Sequence, residues 1–253
     1  MAVTIDPQRW ATGTVVELYP WTEKLFSIRV EAEVAPFTAG QFTKLGLVID
    51  DELVSRPYSY VNAPDERPLE FYFVTVPGGP LTSSLIRLRP GDPILVMKRP
   101  SGFLTLNEVP DGRYLWLLST GTAIGPFLSM LKTDEPWRRF EKVVLVHAVR
   151  FARELSFREQ IRDLQNRHGE RFCYIPVVSR EDTDFALRTR IPAAIGDGRL
   201  ERRAGIPLNH ENSQVMICGN PAMVRDTTET LKARGLTRNR RREPGQITVE
   251  NYW

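Results

Sequence analysis

The residues best equipped for chemistry lie in one run, Arg56-Pro57-Tyr58-Ser59-Tyr60-Val61-Asn62. It joins a permanent cation, two phenol rings and a hydroxyl on a stretch whose β-branched and aromatic residues suit a strand with Pro near its start. Alternate side chains of an extended chain leave the same face, so Arg56, Tyr58 and Tyr60 are expected on one face and Pro57, Ser59 and Val61 on the other. A guanidinium fork fits a diphosphate, a tyrosine ring can lie against a flat ring or a ribose, and a hydroxyl can donate to a redox-active ring beside it. These are parts for a large, flat, anionic ligand.

Further candidates sit where apolar runs end. Ser119-Thr120-Gly121-Thr122-Ala123-Ile124-Gly125-Pro126-Phe127 reads as strand, turn and helix start. Gly121 lets backbone approach a phosphate, and Pro126 suits a first helical turn whose free N–H groups face an anion. Arg150 follows Val146-His147-Ala148-Val149, Arg180 follows Val178-Ser179, and Arg190 precedes Ile191-Pro192 at the start of a short helix. Cys218-Gly219-Asn220-Pro221-Ala222 closes another apolar run and opens a helix. Cys218 alone reads as a small buried hydrophobe, as does Cys173. His147, His168 and His210 form no spaced set and receive no role.

The elements that must hold these residues change in texture along the chain. From Ala11 to about Met97 there are short β runs at 14–18, 25–30, 41–45 and 70–76, broken at Pro20, Pro36, Ala39-Gly40, Pro64 and Pro77-Gly78-Gly79-Pro80. That is the rhythm of an antiparallel barrel or sandwich. Within it, Leu81–Leu88 has the leucine spacing of a helix, with Thr82 or Ser83 expected as its N-cap and free N–H groups offered to an anion. Arg99 to Arg113 reads as a connector. Beyond it, strands at 114–118, 143–147, 173–178 and 215–218 alternate with helices at 124–132, 157–167 and 222–234. This βαβ rhythm predicts a parallel sheet covered by helices, with ligands beyond the carboxyl ends of its strands. The expected division is an N-terminal antiparallel β-barrel domain over 1–108 and a C-terminal α/β parallel-sheet domain over 109–253.

Composition narrows the class. The chain has 253 residues and 42% hydrophobic content, enough for packed cores. It lacks an apolar run of about 18 residues and a basic-then-apolar N-terminus, so neither a membrane span nor a secretory signal is expected and the cytoplasm is the expected location. With only two cysteines, Cys173 and Cys218, no metal site and no iron–sulfur ligation are expected. The balance of 34 basic against 31 acidic residues, a net charge of +3, hints at an acidic partner.

Arg-x-Tyr-Ser followed by an aromatic resembles the flavin-binding signature of the ferredoxin–NADP(+) reductase family, and Arg-Pro-Tyr-Ser-Tyr-Val-Asn is similar to its bacterial branch. The resemblance runs on through the Gly121 turn, the arginines, Cys218-Gly219-Asn220-Pro221 and the terminal Tyr252-Trp253, which matches a subgroup ending in tryptophan. It implies an FAD-binding barrel, an NADP(H)-binding second domain and a C-terminal tail returning to the flavin. It further implies that Arg56 pairs with the flavin diphosphate, Tyr58 packs on the isoalloxazine and Ser59 hydrogen-bonds near N5. Pro57, Tyr72, Phe73, Val74, Leu81, Thr82 and Thr122 complete the flavin set by resemblance. Arg150, Ser179, Arg180 and Arg190 are implied at the 2′-phosphate, hence NADPH rather than NADH, with Gly121, Asn220 and Pro221 along the dinucleotide. Ser59, Cys218 and Glu250 are implied at the hydride-transfer site, Cys218 shaping it rather than acting as nucleophile. Trp253, with Tyr252, is implied to stack on the flavin. The family carries Gly-Thr-Gly-x-x-Pro at the turn, and Ala123 here adds a methyl expected to tighten the phosphate approach.

The expected activity is electron transfer between NADPH and a ferredoxin or flavodoxin through FAD, by a monomer without nucleic acid or membrane. The alternatives are a related flavin or oxygenase-component reductase and, from another class, a nucleic-acid-binding module using Arg238-Asn239-Arg240-Arg241-Arg242.

Overall fold

The computed structural model describes residues 4–251, organised by two sheets. The first is antiparallel and comprises β1 (Trp10–Pro20), β2 (Leu25–Glu31), β3 (Phe42–Ile49), β4 (Glu52–Ser59), β5 (Leu69–Val74) and β6 (Pro93–Met97), with α1 (Pro80–Leu85) between the last two. Its spatial order is β4-β3-β6-β1-β2-β5. The sheet curls until its two edges touch at one end, where Tyr60 bridges Phe71 and the Val61 N–H donates to the Glu70 carbonyl at 2.9 Å. Asn62 adds a side-chain rung, its Oδ1 accepting from the Glu70 N–H at 2.8 Å. Over the remainder of β4 and β5 there is no ladder, so the barrel opens there into a seam.

The hairpin joining β3 and β4 has a signal that apolar periodicity misses. Its register closes at Ile49 and Glu52, leaving Asp50 and Asp51 as a two-residue loop with φ of 51° and 60°. Positive φ at both loop residues gives the twist a hairpin needs, and aspartate tolerates it better than most residues. Both strands are consequently longer than the sequence runs suggest.

The second sheet is parallel throughout. It contains β7 (Tyr114–Thr120), β8 (Lys142–Val149), β9 (Phe172–Val178), β10 (Leu187–Arg188), β11 (Ser213–Gly219) and β12 (Ile247–Asn251), in the order β10-β9-β8-β7-β11-β12. The covering helices are α2 (Gly125–Leu131), α3 (Glu135–Arg139), α4 (Arg158–His168), α5 (Ile191–Gly196), α6 (Arg199–Ala204) and α7 (Pro221–Ala233). Strand periodicity divides its apolar runs between two cores. Leu115, Leu117, Val143, Leu145, Met216 and Cys218 join the core shared with the first sheet, while Trp116, Leu118, Val144, Val146, Val215 and Ile217 pack under α5, α6 and α7. Burying each such side chain contributes about 1.5–3 kcal/mol, an upper estimate for an extended reference chain.

The shared core fixes one unit against the other. Ser129 Oγ donates to the Asn62 carbonyl at 2.7 Å, and the Tyr72 hydroxyl lies 2.7 Å from Ser156 Oγ. The Phe157 ring sits between Trp21 and Tyr72, with centroids at 4.6 and 5.0 Å. The segment between the sheets is itself pinned, because Arg139 donates to the carbonyls of Leu106 at 2.7 Å and Val109 at 2.6 Å. The antiparallel barrel and the parallel α/β sheet agree with the sequence expectation.

Candidate functional site

The seam of the first sheet gathers most of the opening motif. Thr43, on β3, pairs with Tyr58 and Phe42 with Ser59, which leaves the outer edge of β4 facing the seam. Tyr58 reaches across it to meet the Phe73 ring edge-on at 6.0 Å, and burial pushes its hydroxyl up to about 12. Tyr58 therefore stays protonated and can act as a donor. Arg56 is exposed at the rim of the seam, and among the described residues its guanidinium donates only to the Ser55 carbonyl, at 2.7 Å. Tyr60 does not share a ligand face with them. It is fully buried in the barrel, stacked on Phe37 at 3.8 Å and 11°, because by residue 60 the strand has turned into the closed end.

On the other side of the seam, Tyr72 and Phe73 commit their rings to packing, and the Tyr72 hydroxyl to Ser156. Burial pushes the Tyr72 hydroxyl above its usual range. The adjoining helix departs from expectation: α1 begins at Pro80 with Gly79 as its N-cap, and no side chain caps it. Pro80, with its fixed φ, starts the helix before Thr82 can cap it. Thr82 lies within the first turn, where its hydroxyl accepts from the Val76 N–H at 3.0 Å and packs over the turn, beside buried Leu81.

The parallel sheet presents its carboxyl ends toward the same region. After β7, a 3-10 turn at Gly121–Ile124 precedes α2, with Gly121 at φ 55°. No heavy atom lies within 4 Å of the place where a Gly121 Cβ would project, so the backbone is open on that side. Thr122 and Ala123 are buried. The Ala123 methyl belongs to the shared core, so it does not crowd the open side of the turn as expected from sequence; in a tight 3-10 turn consecutive side chains leave different faces.

Arg150, Arg180 and Arg190 come level with one another. Val149 pairs with Val178, the Arg180 N–H donates to the Arg150 carbonyl at 3.0 Å, and Arg188 pairs with Val178 from the other side, two residues before Arg190. All three are exposed. Among the described residues their guanidiniums have no carboxylate partner, whereas neighbouring Arg188 pairs with Asp182, Arg199 with Asp197 at 2.7 Å and Arg234 with Glu201 at 2.7 Å. Ser179 lies between them, its Oγ donating to the Val149 carbonyl at 3.3 Å.

Cys218 is the penultimate residue of β11, fully buried, between Ser119 of β7 and Glu250 of β12. Burial, and then the Glu250 carboxylate, raise its thiol well above the usual range, so it is protonated and a poor nucleophile. Gly219 follows at φ 150°, where a Cβ would collide with Thr120 Oγ1. Asn220 caps α7, its Oδ1 accepting from the Ala222 N–H at 2.9 Å, and Pro221 starts the helix. Glu250 points to the first sheet: a methyl on Gly102 would stand 3.4 Å from its Oε2 and 3.0 Å from the Phe42 ring. Phe42 pairs with both Ser59 and Ser101. Ser59, Phe42, Gly102, Glu250 and Cys218 thus form a continuous chain of neighbours. Burial lifts the Glu250 carboxyl to about 7. Tyr252 and Trp253 lie outside the described residues.

Sequence reasoning gave His147 no role, yet it is fully buried behind the Gly121 turn, its Nε2 3.1 Å from the Gly121 carbonyl. Strand periodicity alone could have found it, since it follows Val143 and Leu145 on the core face of β8.

Comparison with known proteins places this geometry. The chain is 52% identical to the flavodoxin/ferredoxin–NADP reductase of Shigella flexneri, over 96% of this chain and 99% of that protein. The corresponding figures for the ferredoxin–NADP reductase of Pseudomonas aeruginosa are 36%, 94% and 96%. The chain belongs to the flavodoxin/ferredoxin–NADP reductase family. A crystal structure of a ferredoxin NADP+ reductase from Neisseria gonorrhoeae with bound FAD and NADP superposes with a TM-score of 0.92 at 35% identity, covering 97% of this chain and 99% of that one. Residues 117–229 match the model of the oxidoreductase NAD-binding domain. In this member of the reductase family that segment runs from within β7 into α7 and so includes the Gly121 turn, the three level arginines and Cys218. Among the described residues no group of metal-ligating side chains occurs, and no helix is long and apolar enough to cross a membrane.

Proposed function

We propose that the chain is a flavoenzyme moving electrons between NADPH and a ferredoxin or flavodoxin by way of FAD. The observation that carries this reading is the convergence of the open barrel seam with the carboxyl ends of the parallel sheet at Ser59, Phe42, Gly102, Glu250 and Cys218. A barrel unit over 1–108 holds FAD and an α/β unit over 109–253 holds NADP(H). Several features fit the two groups: an unclosed edge beside Tyr58 and Ser59, an exposed arginine at its rim, an open positive-φ glycine turn and three arginines with no carboxylate partner among the described residues.

Within this reading, Arg56 holds the flavin diphosphate. Tyr58, with its proton retained, and Ser59 border the isoalloxazine. Pro57 keeps the edge of β4 free of a further N–H, and Val74, Leu81, Thr82 and Thr122 line the rest of the cradle. Tyr72 and Phe73 contribute backbone and rigidity, since their rings are packed. Arg150, Ser179, Arg180 and Arg190 hold the 2′-phosphate, which selects NADPH over NADH because only a phosphate rewards a cluster of guanidiniums. Asn220 and Pro221 set the helix start beside the nicotinamide, and Tyr252 and Trp253 cover the flavin. When bound, FAD supplies the exchange between two-electron and one-electron steps. The chain's own part is to align the two rings and to control protons nearby. Protonated Cys218 shapes an uncharged floor, and Glu250, with its carboxyl near 7, can hold or release a proton at neutral pH.

The Arg238–Arg242 run supports no free nucleic-acid tail: Arg240 bridges Glu243, and Asn239 Nδ2 donates to the Glu108 carbonyl at 2.6 Å. The enzyme acts as a cytoplasmic monomer, drawing acidic carriers through its exposed basic residues. The test is optical. Purified protein supplied with FAD should retain it through gel filtration with flavin absorbance near stoichiometry, and NADPH should bleach it anaerobically. Protein that stays colourless overturns the reading.

A further inference from the structure

We propose that His147 is a positioning residue for dinucleotide binding: it holds the Gly121 carbonyl inward and thereby aims the Thr122 N–H outward at the ligand. The inference rests on reading the Gly121 turn as a seat for NADP(H). A carbonyl can only accept, so at 3.1 Å the His147 Nε2 carries the proton and donates, leaving Nδ1 bare. Nδ1 is buried and has no partner among the described residues. An unpartnered buried acceptor is a cost that leucine or valine at the same place would avoid, so packing alone does not account for a histidine here. Burial holds the ring neutral, its pKa lowered to about 4, which keeps this one-donor arrangement fixed at physiological pH.

The peptide geometry turns that contact into a means of aiming a donor. The Gly121 carbonyl and the Thr122 N–H belong to one planar unit and point in opposite directions. Gly121 is the residue least able to fix its own conformation, at φ 55° with nothing within 4 Å of its Cβ position. Side-chain sterics therefore do not set the orientation of the 121–122 peptide; the i→i+3 pattern of the 3-10 turn and the bond to His147 together hold the Gly121 carbonyl inward. Among the described residues the Thr122 N–H makes no turn or loop hydrogen bond, and as the second residue of its 3-10 turn it has no i→i−3 partner within that turn. Two other ties steady the surrounding strand tips without touching this peptide. Ser119 Oγ donates to the Val146 carbonyl at 2.9 Å, and the Asn220 N–H donates to Thr120 Oγ1 at 3.2 Å.

The experiment compares FAD-loaded parent, His147→Leu and His147→Gln by calorimetric titration with NADP+ and with 2′-AMP. Glutamine keeps an N–H donor near the Nε2 position, while leucine keeps only bulk. The Leu variant should bind NADP+ about tenfold more weakly, the loss of one oriented donor. Gln should recover most of that loss, and 2′-AMP, which has no diphosphate, should bind all three alike. Thermal stability of the Leu variant should be equal to or above the parent's, because the bare acceptor is gone. Parent-like NADP+ affinity in Leu, or equal losses for both ligands, would overturn the role. Should Leu fail to fold, the parent's imidazole ¹⁵N shifts decide: a proton on Nδ1 overturns the proposal. A parent that binds 2′-AMP and NADP+ equally poorly would instead refute the dinucleotide reading, and the role of His147 with it.

Discussion

The two units prepare a ligand edge by opposite means. In the parallel sheet the edge follows from topology: every strand ends at the same rim, so the Gly121 turn, the Cys218–Gly219 turn and the arginines after β8, β9 and β10 come level without special provision. In the antiparallel sheet, alternate strands end at opposite rims, and the edge exists only because closure stops at Tyr60 and Phe71. One edge is built mainly from backbone, the other mainly from side chains on an unpaired strand. Substitutions that add bulk should therefore damage the backbone turns of the first, whereas the second, like the arginines that rim the first, should be damaged by removing side chains.

The largest effect is expected at Gly219. Alanine there would hold an unfavourable φ of 150° and drive its Cβ into Thr120 Oγ1, costing about 3 kcal/mol in strain and overpacking together. Thermal denaturation should show a fall of roughly 6–12 °C for a chain of this size. An unchanged melting temperature would break the contrast at its backbone end. Next come Arg180→Ala and Arg190→Ala together, which should lower kcat/KM for NADPH about a hundredfold while sparing NADH, since charge-assisted contacts contribute about 1.5–3 kcal/mol each and these are solvent-exposed. Equal losses with both nucleotides would remove the phosphate assignment. Arg56→Ala should leave the melting temperature of the FAD-free protein unchanged and weaken FAD retention about tenfold, by loss of one such contact, measured by fluorescence of released flavin on dilution.

A further prediction concerns Glu250. Its carboxyl is raised by burial to about 7 from an ordinary 4.5, so the folded state binds the proton more tightly. Stability from this group is full below about 4.5 and is lost as pH rises through 7. Glu250→Gln should flatten that decline in a pH series of melting temperatures. His147 contributes with the opposite sign: its depressed pKa of about 4 makes stability fall as pH drops from 6.5 toward 4, and Glu250→Gln should leave that limb intact.

The contrast also explains what was legible in the sequence. Apolar runs such as Leu115–Leu118 and Val143–Val146 announced a parallel sheet because both of its faces are buried, and the rim residues followed from the strand ends. The antiparallel half hid more. Tyr58 and Tyr60 share a strand period, yet one borders the seam and the other is sealed in the barrel, because the difference lies in where the sheet closes rather than in the residues. The α1 cap was misread because Pro80 starts the helix earlier than its leucines suggest. The Asp50-Asp51 loop carried a signal in residue type that hydrophobic spacing does not register. The arginines were legible as candidates, but their lack of a carboxylate partner among the described residues was not, since the pairing of Arg188 and Arg199 with Asp182 and Asp197 depends on the folded rim. For His147, strand periodicity reveals the burial but not the partner, because the Gly121 carbonyl comes to it from another strand's end.

The most direct test of the account is anaerobic stopped-flow mixing of FAD-loaded protein with NADPH or NADH, followed by a second mix with flavodoxin or ferredoxin. The account predicts rapid loss of flavin absorbance with NADPH, far slower loss with NADH, and return of the absorbance as the carrier is reduced. Flavin that responds equally to both nucleotides, or that stays reduced in the presence of every carrier tried, would contradict it.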